Sequence, residues 1–93
     1  MTKRRTELER AAGKLISAIQ SVWHEEAGEP ESAESERVMH KSHGLLTSAV
    51  RGSVEAELAG SSVAEYLGAS WVSEHPQVWP AINAFEHAAQ SDA

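Results

Sequence analysis

Apolar residues recur from Leu8 onward at steps of four and three: Leu8, Ala12, Leu15, Ile19 and Val22, with Ile16 and Trp23 widening the stripe. That period belongs to one face of an α-helix. Thr6 and Glu9 precede it at capping-box spacing, where each side chain can satisfy an orphan backbone N–H of the first turn. Gly28 and Pro30 end it, as a glycine after the last turn and a helix breaker do. The stripe reads as core or as the seam of a dimer or partner contact.

A polar, acidic linker follows over 28–34, and its carboxylates favour the positive end of the next helix. That second helix is expected to begin between Pro30 and Ser35 and to run to Leu58 or Ala59. Val38, Leu45, Ala49 and Ala56 lie along one edge of it, and Met39, Leu46, Val50, Val54 and Leu58 beside them. Its length would exceed about 35 Å at 1.5 Å per residue. Gly44 and Gly52 are the positions where it would bend or split. Ala49, Gly52 and Ser53 are small enough there for a second helix to approach closely.

Gly60 closes that helix. Ser62, with Glu65 three residues on, starts a third, which carries Val63, Ala64, Tyr66, Leu67, Trp71 and Val72 and must stop near His75, before Pro76. Pro80 suits the first turn of a last helix capped around Trp79, with Ile82, Phe85 and Ala89 on its apolar face. No stretch alternates as a strand would. The expected fold is all-α, about four helices, two long and two short, in one domain over 1–93 with frayed ends at 1–5 and 91–93.

With 93 residues, the chain buries only about 60–65% of its unfolded surface. Oligomerisation commonly offsets such a shortfall, so a homodimer is expected. There is no cysteine, which removes disulfides and thiolate metal sites. No apolar run is long enough to cross a membrane, and none follows the basic N-terminus as a signal peptide would require. The expectation is a soluble, cytoplasmic protein.

Charge placement says more than the net value of −6. Residues 1–14 carry five Lys/Arg against Glu7 and Glu9, a balance of +3, whereas residues 25–36 hold six Glu and no base. After Arg51 there is no Lys or Arg, and Glu55, Glu57, Glu65, Glu74, Glu86 and Asp92 follow. That half of the chain repels a phosphate backbone. The point matters because Val63-Ala64-Glu65-Tyr66-Leu67-Gly68-Ala69-Ser70 looks like the first helix and turn of a helix-turn-helix. The segment that would read DNA, Trp71 to Gln77, is broken by Pro76 and has no cation. A DNA-binding regulator using 62–79 is therefore the alternative, and direct nucleic-acid binding is not the expectation.

His40 and His43, three apart, would share a helical face and could supply two zinc ligands, but no further ligand completes a site. A nucleophile with its base, a carboxylate pair and a glycine-rich phosphate loop are all missing. No catalysis, metal or cofactor is expected. Tryptophan remains: Trp71 suits a core, while Trp23 or Trp79 is the candidate for an interface, where large rigid rings are desolvated at low entropy cost. The candidate partner or dimer interface is Leu15, Ile19, Trp23, Leu45, Leu46, Ala49, Val50 and Trp79.

The block from Glu36-Arg37-Val38-Met39-His40-Lys41 through Ser62-Val63-Ala64-Glu65-Tyr66-Leu67-Gly68 to Trp71-Val72-Ser73-Glu74-His75-Pro76 resembles QslA-type antiactivators of bacterial quorum sensing. The resemblance covers most of residues 35–82 and lies in the whole block rather than in a short motif. It implies an intracellular, homodimeric helical protein that binds the ligand-binding domain of a LuxR-type transcription factor such as LasR. That binding would block the factor's dimerisation and keep it off DNA.

Overall fold

Helix α1 (Glu7–Glu25) lies between α2 (Ser32–Arg51) and α6 (Trp79–Ser91), and the rest of the chain closes over this three-helix layer. The structure, a computed structural model, describes residues 7–30 and 32–91. Between the long helices run α3 (Val54–Leu58), α4 (Val63–Leu67), α5 (Ala69–Glu74) and a 3-10 turn, Pro76–Val78. There is no strand among the described residues, and no helix there is long and apolar enough to cross a membrane. The molecule measures 42 × 32 × 19 Å, and its thinnest dimension is about two helix diameters of 10 Å.

The α1 stripe is core: Leu8, Ala12, Leu15, Ile19 and Val22 are all buried. Helix α2 meets it with a seam of the same period, Ser35, Val38, Ser42, Leu45 and Ala49, all buried. Serine or alanine at every seventh position of that seam lets the two backbones approach against the Leu and Ile side chains of α1. The buried hydroxyls are satisfied: Ser42 donates to the Met39 carbonyl at 2.6 Å and Ser48 to that of Gly44 at 2.9 Å. Leu8, early in α1, lines one groove with Ala49, late in α2, and Ala89, late in α6, so both neighbours run antiparallel to α1. Ile82, Phe85 and Ala88 are the buried face of α6, while Ala89 is only half-buried.

Among the described residues six helices replace the expected four, because two glycines divide elements that the apolar pattern joins. At Gly52 the backbone turns left-handed, φ +74°. The Ser53 N–H bonds to the Ser48 carbonyl at 2.8 Å and the Gly52 N–H to that of Ala49 at 3.3 Å. This pair is the Schellman closure of a helix. Gly44, by contrast, stays inside α2 for reasons of space. A Cβ there would lie 3.2 Å from the Tyr66 hydroxyl and 3.3 Å from the Glu57 carboxylate. Gly68, at φ +127°, ends α4 and begins α5, so the expected single third helix is two. The linker is also shorter than expected, since 32–34 already belong to α2. The proposed Thr6 cap lies outside the described residues, as do the frayed ends apart from Ser91, which α6 includes.

The Ser62 start signal is realised in full. Its hydroxyl accepts from the Glu65 N–H at 3.1 Å, and the Glu65 carboxylate accepts from the Ser62 N–H at 3.0 Å. Glu86 of α6 accepts from the next N–H, Val63, at 3.0 Å. Ser62→Ala is expected to cost about 1 kcal/mol, read as a lower urea midpoint with an unchanged denaturant slope. A midpoint equal to the wild type would show that Glu86 alone holds the start of α4.

Candidate functional site

The polar chemistry gathers where the end of α1, the start of α2 and the end of α5 meet. Gly28 and Pro30 turn the chain so that Glu26 faces back toward α2 and α5. Its carboxylate accepts from the Ser35 hydroxyl through one oxygen and from His75 Nε2 at 2.8 Å through the other. The Ser35 oxygen, fully buried, accepts in turn from Trp71 Nε1 at 2.9 Å. One helical turn after Trp71, His75 directs Nδ1 at the Trp71 carbonyl, 2.8 Å away. The two rings stack with centroids 4.4 Å apart.

Both nitrogens of His75 thus face oxygen acceptors, and only the doubly protonated ring can donate to both. Burial opposes that charge, but the Glu26 hydrogen bond, the Trp71 carbonyl and the nearby acids Glu26 and Glu74 outweigh it and raise the His75 pKa above its ordinary value. The Ser35 hydroxyl, then His75, hold the Glu26 pKa below the usual carboxylate range. Although Ser, His and Glu are all present, the serine donates to the glutamate and does not reach the imidazole, so no base activates it. The cluster is a clamp between segments 49 residues apart.

A second cluster ties α2, α3 and α4. The Tyr66 hydroxyl donates to Glu57, whose carboxylate also lies 3.3 Å from the Ser48 hydroxyl, an alternative acceptor to the Gly44 carbonyl for its one proton. Lys41 donates to the Tyr66 carbonyl at 3.1 Å and lies 5.7 Å from the centre of its ring. Burial first, then the Glu57 hydrogen bond, pushes the Tyr66 pKa up to about 12. The phenol therefore stays neutral at physiological pH and serves as a donor.

The eight candidate interface residues divide between core and surface. Leu15, Ile19 and Leu45 are fully enclosed and Ala49 is buried. They form the α1–α2 seam; Leu15, Ile19 and Leu45 offer nothing to a second molecule, which corrects their place among the interface candidates, while Ala49 also lines a groove at the end of α2. Leu46 and Trp23 are half-buried against the core. Val50 and Trp79 are exposed, at 60% and 39%. Trp23 also lines an open groove of about 970 Å³ with Ser17, Gln20, His24 and Glu25. Trp71 is core, as expected.

His40 and His43 are both exposed on α2, and no group of three or more potential metal ligands converges among the described residues. The helix-turn-helix-like segment forms α4 and α5, joined at Gly68. Trp71 and Val72 of α5 are buried, and the residues it exposes, Ala69, Ser70, Ser73 and Glu74, include no cation. The apolar pattern alone could not show Glu26 and Ser35 as partners of His75. The one local sign was the i, i+4 spacing of Trp71 and His75 ahead of Pro76.

No protein-family model, no curated protein and no solved structure matches the chain.

Proposed function

We propose that the protein is a non-catalytic regulator that acts by binding another protein, as the resemblance to QslA-type antiactivators implies. On this reading it engages the ligand-binding domain of a LuxR-type transcription factor, occupies that factor's dimerisation surface and so keeps it off DNA. It does so as an intracellular homodimer.

Trp79 is the observation that carries this reading. The residue is 39% exposed, while its neighbours Val78 and Ile82 are fully buried. Pro76 and Pro80 restrict the backbone on either side. The ring is therefore held on a rigid support, and little entropy remains to be lost when a partner covers it. Exposed tryptophan on such a support is the usual anchor of a binding surface. On α2, Leu46 and Val50 lie one turn apart and keep the outward part of the ridge expected from the apolar pattern. The acidic surface would speed encounter with a basic partner.

The test is titration of the LuxR-type ligand-binding domain from the same host, with the partner's dimer fraction followed by sedimentation. The wild type should lower that fraction. Trp79→Ala should weaken the effect by about 2 kcal/mol, roughly thirtyfold, with an unchanged thermal midpoint. A partner that stays dimeric, or a direct salt-sensitive shift of duplex DNA by this protein alone, would overturn the reading.

A further inference from the structure

A second groove lies at the other end of α1 from Trp23. It measures about 1020 Å³ and opens between the start of α1, the end of α2, α3, the start of α4 and the end of α6. Leu8, Val54 and Val63 are buried beneath it and Leu58 is half-buried at its side, so its floor is apolar. Glu55, Glu65 and Glu86 stand along it, and among the described residues its lining includes no Lys, Arg or His. Glu65 and Glu86 are held in place by the backbone N–H groups of Ser62 and Val63, at 3.0 Å each. Their charges are thus fixed in position before any ligand arrives.

The volume is at the upper limit of about 300–1,000 Å³ usual for small-molecule pockets, and the groove is open along its length. An amphipathic helix laid in a groove fits this shape, with its apolar row on the floor and its cations at the rim. We propose that this groove docks a basic amphipathic helical segment of a partner protein, with Leu, Ile or Val facing Leu8, Val54 and Val63 and Lys or Arg facing Glu55, Glu65 and Glu86. α3, α4 and α6, which carry the three glutamates, all come from the half of the chain after Arg51, where there is no Lys or Arg. The inference goes beyond the Trp79 surface and does not depend on it.

The probe is a fluorescent helical peptide of about 14 Leu and Lys residues, roughly four turns, with a Leu/Glu peptide of equal length as control. Anisotropy should show binding of the Leu/Lys peptide alone, weakening as salt is added. The double variant Glu55→Lys/Ser61→Lys alters two exposed groove residues and should weaken binding by about tenfold. Glu34→Lys/Ser73→Lys changes the net charge by the same +3 on exposed residues outside the groove, and should stay within about twofold of the wild type. Trp79→Ala should leave the peptide's affinity unchanged, so failure here and failure of the antiactivator reading are distinguishable. Equal weakening by both double variants would mean bulk charge attraction and would overturn the proposal, as would no binding at all. A dimer that dissociates in Glu55→Lys/Ser61→Lys while peptide affinity is retained would assign the groove to a second copy and overturn it too.

Discussion

Trp71→Ala is expected to cost about 3–5 kcal/mol, a large part of the roughly 5–15 kcal/mol that holds a domain of this size together. The indole is 1% exposed and one of the largest fully buried side chains. Its loss opens a cavity in the core, removes the stacking surface of His75 and takes away the indole N–H that donates to the Ser35 oxygen. Ser35→Ala removes the acceptor of the indole N–H and a donor to Glu26, at about 1–3 kcal/mol. The sharper test combines Ser35→Ala with Trp71→Phe, which keeps a ring but lacks the N–H. Because both changes remove the same hydrogen bond, their combined cost in urea unfolding should fall short of the sum by about 1 kcal/mol. Strict additivity would mean that the Trp71–Ser35 bond contributes nothing.

The second large effect is a pH window. His75 has its pKa raised from 6.5 in the folded protein. Its contribution is therefore complete below pH 6.5 and is lost as pH rises through the raised value. Glu26 has its pKa lowered from 4.5, so its contribution is complete above pH 4.5 and is lost as pH falls through the lowered value. The clamp is then strongest between about pH 4.5 and 6.5 and weakens on both sides. Only 12% of the His75 side chain and 16% of that of Glu26 are exposed, so solvent screens the pair little. Within the window His75→Gln should cost about 1.5–3 kcal/mol and flatten the alkaline limb of the stability profile, while Glu26→Gln should flatten the acid limb. Urea midpoints across roughly pH 2 to 9 provide the check. An alkaline decline that persists in His75→Gln would sink the account. Trp79 follows the clamp by only four residues, through the 3-10 turn, so the same profile measured on partner binding would show whether loosening His75 also loosens the exposed ring.

Local signals were read well where the physics is local. The Ser62–Glu65 box sits within four residues, and its two hydrogen bonds need nothing from the rest of the chain. The α1 stripe was legible as an apolar helical face, because its period of three and four is local, but whether the core or a second molecule covers it was open until α2 and α6 were placed against it. Gly44 and Gly52 could not be ranked on the same grounds. Both cost a helix the same conformational entropy, yet Gly52 takes up a left-handed turn and Gly44 makes room for Tyr66 and Glu57, which come from elsewhere in the chain. The candidate interface met the same obstacle. Leu45 and Leu46 are adjacent and chemically alike, and a rotation of about 100° per residue puts one in the core and the other at its edge.

The sequence by itself determined an all-helical chain with an apolar stripe on its first helix, a capped start at Ser62 and a second half without a positive charge. Each of these depends on the spacing or identity of near neighbours. Only the tertiary structure decided that α1 is the central helix, that Gly52 and Gly68 divide the expected elements, and that Glu26 and His75 close a clamp. It also decided between Trp23 and Trp79: Trp23 is half-buried against the core, while Trp79 is the more exposed. These outcomes depend on which residues meet across dozens of positions, and the chain's local pattern carries no record of that.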